Sequence, residues 1–484
     1  MSFAPSIAEN IRTEVETLIE LVSGPASQKQ TAYEIEGQLW WRMLALGRLF
    51  LDLFFASRST EEDRQTAYVS DGVSYPYEGE RSRRYVSLFG EVTIRRAYYR
   101  LKGQGGYFPL DEKLSLPKRC YSDWVQERVA ALSVTRPYDE ALALLSGWLA
   151  LDLSKRSAEA IDADHAEYMS AYDEQREAPP LGDEDSIMVV SADGKGIPMI
   201  RSDSPAPESR QGDKTRKTAK KEATLTTIYT IQPYERTVEH IIQVLLGPDK
   251  PEWVPRPQPT GKQVFGTLSN QQAAFEHLVE QVNKRDTAQI SHRVALTDGD
   301  RGLKKKVQVY LPNFTLIIDI MHVMGYLYQA AEALFTSTSA QRETWLEDAL
   351  RCLLQDDLDT LLTHLHQQMQ SLSTPRRKTL STVRSYLINN RPHLYYHSYL
   401  AQGFPIGTGV IEGACRHLVK DRFELTGMRW SKAGAQVMLD LRAIYLNGDW
   451  DAFQQFRRQE AHQQHYRSPH PHLISQETLL TVAA

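Results

Sequence analysis

Residues 186–199 read SIMVVSADGKGIPM: an apolar strand that ends in Asp193 and runs into a Gly-Lys-Gly turn. Two further strands are expected close by, TLTTIYTI (224–231) and VEHIIQVLL (238–246), near enough in sequence to pair with the first. A helix follows over 270–284, and then the strand HRVALTD (292–298), which again ends in an aspartate before glycine, Asp298. A short helix (302–311), the strand FTLIIDI (314–320) and a helix over 322–336 complete the run.

Three strands, a helix, then strand–helix–strand–helix is the order of a ribonuclease-H-like α/β domain, with a meander feeding parallel strands that helices cover. In that architecture the first and fourth strands are neighbours, which would set Asp193 and Asp298 at adjacent strand ends. A third acid is available further on, in PIGTGVIEGACRHLVKDRFELTGMRWSKAGA (405–435). There a Gly407-Thr408-Gly409 turn precedes Glu412, and Val410, Ala414, Leu418 and Arg422 recur at helical spacing. Steps of four from Glu412 reach Arg416 and Lys420, so one face carries an acid and two bases; on its own this pattern also describes a solvated helix laced with ion pairs. Three converging carboxylates suit phosphodiester chemistry, because two Mg2+ ions about 4 Å apart can activate the attacking oxygen and stabilise the leaving one. Mg2+ takes hard oxygen ligands and keeps several waters, so a few carboxylates suffice and no protein nucleophile is needed.

At 484 residues the chain is too long for one core. Its 41% hydrophobic and 24% charged residues are ordinary for a soluble globular protein, and a net charge of -5 means that any nucleic-acid-binding surface is local. Cys120, Cys352 and Cys415 lie too far apart for a disulfide framework and fit a reducing cytoplasm. No signal peptide or membrane span is expected, since the best apolar run (39–56) contains Arg42, Arg48 and Asp52. Residues 1–58 read as two helices with Leu39, Met43, Leu46, Phe50 and Leu53 as a core or partner-facing stripe. Residues 66–115 form a small β module, with strands around Phe89-Gly90 and with Val92, Ile94 and Arg96 on one face; with so little core, it should dock on a neighbour. Residues 116–175 hold three short helices (124–132, 139–148, and a third capped by Ser154), the last opening with Lys155 and Arg156 as in a helix-turn-helix reader of DNA. The basic run KTRKTAKK (214–221) and PRRK (375–378) are either solvated or phosphate-tracking. His462, His465, His470 and His472 are too irregularly spaced for a metal site in the 451–484 tail.

ADGKGIP, ALTDGDRG, DIMHVMGYLYQAAEALF, NNRPHLYYHSYLAQGFPIGTGVIEGACRHLVKDRF and GMRWSKAGA together resemble the Kra-four family of bacterial insertion-sequence transposases, over about residues 85–446. That resemblance implies an Asp-Asp-Glu transposase: an RNase-H-like core in two parts (184–336 and 401–450), split by a helical insertion (337–400) and preceded by helical and small β modules. It implies Asp193, Asp298 and Glu412 as catalytic metal ligands for Mg2+ or Mn2+, with Asp300 as the rival for the second place. His322 resembles the Asp/Cys-x-x-His element of related transposases and is an active-site support or a helix-start histidine. Arg416, Lys420 and Arg429 are expected on phosphates and Trp430 on a base, unless Trp430 is core. The implied partners are double-stranded DNA, both terminal repeats and target, and further copies of the chain in a synaptic complex. Relatives carry Cys-x-x-Cys pairs where this chain reads RLKGQGGYFPLD, so the β module is expected to be zinc-ribbon-like without zinc. The alternative is a DNA-binding relic or domesticated regulator that keeps the fold without recombining.

Overall fold

The computed structural model describes residues 4–62, 64–70, 72–103, 105–203, 220–247, 256–335, 340–425 and 427–467, in two compact units. The basic loop ahead of Lys220, together with His470 and His472, lies outside the described residues.

One unit combines residues 1–174 with residues from 449 onward. It begins with two helices, Ala4–Ser23 and Ala32–Glu61, the second opened by a capping box between Thr31 and Glu34. A four-stranded antiparallel sheet follows in the order β1 (Ala67–Ser70), β2 (Val73–Ser87), β3 (Gly90–Leu101), β4 (Gly105–Tyr107). Its small core is Val92, Ile94, Leu110 and Leu116, closed by Phe55 from the second helix, so the module docks as its size demands. Where a metal would tie such a module, Asp111 is buried between two arginines: it accepts from Arg83 Nη1 at 2.9 Å and also from Arg96, whose guanidinium lies 3.8 Å from the Phe108 ring centre.

Three helices follow at Asp123–Ser133, Tyr138–Leu149 and Lys155–Ala166, the last capped by the Ser154 side chain. Buried Asp162 ties them together by accepting from Ser133 Oγ (2.6 Å) and the Tyr138 hydroxyl (2.8 Å). The expected C-terminal tail begins instead as a helix, Trp450–His462, because Phe453 is apolar and buried against Tyr172 and Arg457 pairs with Asp123 at 2.9 Å.

The other unit, residues 175–448, is built on a mixed five-stranded sheet. Its strands are β5 (Ile187–Pro198), β6 (Lys220–Ile231), β7 (Thr260–Thr267), β8 (His292–Thr297) and β9 (Thr315–Ile318), in the order β7-β6-β5-β8-β9. The first three are antiparallel neighbours; β8 pairs parallel to β5 and β9 parallel to β8. Residues 238–246, expected as a strand, are the helix Val238–Leu246. Thr237 caps it, accepting from His240 N–H at 3.2 Å, and Val238, Ile241 and Ile242 share its buried side. The third strand is instead the later, more polar β7. Helices Gln271–Arg285 and Arg301–Tyr310 cover one face of the sheet, around Met188, Val190 and Ala295. The other face packs on Ile320–Leu334 and on the helical segment Ala340–Leu354, Leu358–Met369, Thr374–Asn390 and Tyr396–Ala401.

Candidate active site

The parallel register brings three acids into a row. Ser191 of β5 pairs with Leu296 of β8, so two residues on, Asp193 stands beside Asp298. Thr297 of β8 pairs with Ile318 of β9, so one residue on, Asp298 stands beside Asp319. Three neighbouring strands thus carry an aspartate just past their parallel pairing: Asp298 and Asp319 follow the last residues of β8 and β9, whereas Asp193 lies within β5. The strand expected to end there, before a Gly-Lys-Gly turn, instead runs on to Pro198, because its antiparallel pairing with β6 continues through Gly194, Lys195 and Gly196.

Each aspartate is held differently. Asp193 is half-buried; its Oδ1 accepts from Gly194 N–H (2.7 Å), and its Oδ2 from the thiol of Cys415 (3.2 Å). Burial, reinforced by the Asp193 carboxylate, pushes the Cys415 thiol far above its ordinary range, so it stays protonated and donates. Asp298 accepts from Asp300 N–H at Oδ1 (2.8 Å), and its carbonyl takes the Tyr386 hydroxyl at 2.9 Å. Asp300, the rival for the second position, caps the next helix by accepting from the N–H groups of Gly302 (2.7 Å) and Leu303 (3.0 Å) and is exposed.

Asp319 is fully buried and accepts three hydrogen bonds. Its Oδ1 accepts from Met321 N–H (3.1 Å) and Thr408 N–H (3.2 Å), and its Oδ2 from His322 Nδ1 (2.7 Å). Burial pushes this carboxyl up, but the bonds from His322, Thr408 and Met321 outweigh it and hold it below the usual carboxylate range. In return Asp319 raises the His322 imidazole above its ordinary 6.5, with the more distant charges of Asp298 and Asp193 adding to the effect.

The bond to Thr408 also places the glutamate. It pins the Gly407–Gly409 turn to the end of β9, and Ile320 N–H to Ile406 carbonyl (2.9 Å) adds a second tie. Glu412 follows in the short helix Gly409–Ala414 and is exposed. A ligand atom from each of Asp319, His322 and Glu412 lies within 4.8 Å of the others. The charges of Asp193 and Asp298 both favour the charged form of His322, and Cys415, three residues after Glu412, bonds to Asp193.

Sequence alone places Asp319 inside a motif without assigning it a role. The usable signal is its position, a third apolar strand closing on an aspartate. Beyond Ala414 the helix widens into a π-helical turn, Cys415–Lys420, so the four-residue stripe from Glu412 is interrupted. Arg416 and Lys420 are exposed on this turn, with Arg416 3.7 Å from Asp421; Arg429 is exposed as well. Trp430 is interior: its backbone bonds to Pro198 at the end of β5 and to Ile200 just after it, and its indole packs on Phe423 under the Arg422 guanidinium. That burial is the correction to its expected place on a base. Lys155 and Arg156, in the other unit, are exposed at the start of their helix.

Among the described residues no helix is long and apolar enough to cross a membrane. No family model matches the chain. A protein of Streptococcus gallolyticus, described as a UPF0236 protein in the vanSb 3' region, is 22% identical over 394 residues, 80% of this chain and 78% of its own. Among solved structures, the Drosophila P element transposase strand transfer complex aligns at 9% identity over 69% of this chain and 80% of that one. Its TM-score of 0.25 is too low to carry an argument, so the likeness to the streptococcal protein is the firmer of the two.

Proposed function

We propose that this chain is a DNA transposase that cuts at the ends of its own mobile element and joins them to target DNA, with Asp193, Asp298 and Glu412 as its catalytic acids. The observation that carries the reading is the pair of aspartates just past the parallel pairing of β5 and β8, with Glu412 beside His322, whose imidazole both aspartates help to raise. A strand order with three antiparallel members feeding two parallel ones supports an RNase-H-like core.

The donor set fits a hard divalent cation: oxygen ligands that are half-buried (Asp193, Asp298) or exposed (Glu412), with room for waters. Mg2+ or Mn2+ held by these three would activate the attacking oxygen and stabilise the leaving one. Asp319, buried and accepting from three donors, acts as a positioning residue. It fixes the imidazole of His322 through Nδ1, leaving Nε2 to donate a proton or bind a phosphate oxygen when the ring is charged. The Cys415 thiol fixes the rotation of the Asp193 carboxylate, and Tyr386 fixes the backbone of Asp298. Arg416, Lys420 and Arg429 supply exposed cations for phosphates, while Lys155 and Arg156 open the helix of the end-reading unit.

The test is an in vitro reaction on duplexes carrying the element's own ends, with and without Mg2+. Nicks at the element boundary and joined products are expected from the wild type, and none from Asp193→Asn, Asp298→Asn or Glu412→Gln although these still bind the ends. A wild type that binds the ends but never cleaves them in Mg2+ or Mn2+ overturns the reading.

A further inference from the structure

The first two helices bury very little of their apolar surface. Among the described side chains of residues 6–61, the buried apolar residues are Ile11, Leu46 and Phe55, and Phe55 serves the β module. Trp40, Met43 and Phe50 remain 49%, 53% and 52% exposed, and Phe54 is exposed beside them. These four fall at i, i+3, i+10 and i+14, the a/d spacing of a coiled-coil seam, with Gly47 at the intervening position. Phe89, from the β2–β3 turn, lies against Gly47, where an added Cβ would come within 2.5 Å of its ring, and Phe89 is itself exposed.

The first helix adds to the same face. The two helices are antiparallel neighbours, joined by a short connection and by the Arg42–Glu14 ion pair at 3.0 Å. Exposed Val15, Ile19 and Val22 on one helix, and the aromatic stripe on the other, are each turned about 90° from the shared seam in the same rotational sense. In an antiparallel pair, equal rotations of one sense bring both stripes to one side. At about 150–250 Å2 for a full aromatic side chain, the face leaves roughly 700 Å2 of apolar surface open. That exceeds the roughly 300–600 Å2 of the largest patch on an ordinary monomer and approaches the about 800 Å2 per partner of a stable interface.

We propose that this face is a self-association surface, covered by the same face of a second copy of the chain as a four-helix arrangement. The occupant follows from the chemistry. An all-apolar seam at heptad spacing needs a partner of the same period, and the chain itself supplies one. Acidic side chains outnumber basic ones over residues 1–58, which disfavours anionic lipid or DNA as the cover. This surface stands on the exposed seam and does not depend on the active-site reading.

The test is sedimentation of the DNA-free full chain across concentration, beside Phe50→Glu and Phe50→Leu. The wild type and Phe50→Leu should run at twice the chain mass, and Phe50→Glu at the chain mass with an unchanged circular dichroism spectrum. A monomeric wild type overturns the proposal, as does a Phe50→Glu chain that stays dimeric. Should both variants misfold, hydrogen exchange of the wild type decides. Dilution should speed exchange over residues 32–54, and rates independent of concentration overturn the proposal.

Discussion

Single residues set the geometry of the candidate site, and two of them can be tested without any substrate. Gly299 has φ +90°, and a Cβ there would meet the Tyr386 hydroxyl at 2.8 Å, the group that holds the Asp298 carbonyl. Gly299→Ala should therefore cost about 1–3 kcal/mol in urea unfolding and shift Asp298 from its register. Tyr386→Phe should cost about 1 kcal/mol, the net worth of one hydrogen bond, and lower the cleavage rate more than it weakens end binding. His322 offers a pH test with a definite sign. Its folded pKa is raised above 6.5, so its pairing with Asp319 stabilises the fold fully below that value and is lost as pH rises through the raised one. The stability gap between wild type and His322→Gln should be largest near about pH 6 and shrink in alkali. Its size should stay under about 1 kcal/mol, because the imidazole is nearly half exposed to solvent. A gap that grows with pH would contradict the assignment.

At the scale of elements, the parts with strong periodicity or strong caps were legible. The three helices around Ser154 and the helix after Asn270 fall within a residue or so of expectation; serine or asparagine caps mark three of these starts, and Pro137 precedes the fourth. Residues 238–246 were misread because a nine-residue, β-branched apolar run satisfies both periods; the Thr237 cap was the deciding feature. Strand β7 was invisible because it is polar at its start and interrupted by Gly261 and Gly266. The row of three aspartates was two-thirds legible, because an apolar run closing on Asp-Gly marks Asp193 and Asp298 even though β5 continues past the first, whereas the third ran straight into a helix capped by Asp319. The π-helical turn after Glu412 had no local signal at all; buried Leu418 and Val419, side by side, reveal it only in the fold. Two predictions belong to this scale. Asp111→Ala should destabilise the β module by about 3–5 kcal/mol, since it strands two arginines, while a zinc chelator should leave thermal unfolding unchanged. Alanine at Lys155 and Arg156 should reduce the log–log salt slope of end binding by about 0.9 for each phosphate that is no longer neutralised.

At the scale of the whole molecule, the chain separates into a unit of helices and a small sheet and a unit that gathers all the candidate catalytic groups. That second unit returns to its own sheet after a long helical segment, and the return is secured by buried Asp319, which clamps the turn ahead of Glu412, and by the Ile320–Ile406 backbone bond. Convergence of residues so far apart in sequence is the central claim, and it rests on strand register at one end and on that clamp at the other. Anomalous diffraction from crystals of the full chain soaked in Mn2+ addresses it most directly. A Mn2+ peak liganded by carboxylate oxygens of Asp193, Asp298 and Glu412 is expected, and its loss in Glu412→Gln. A Mn2+ ion bound elsewhere, or one held by Glu412 without either aspartate, would contradict that convergence.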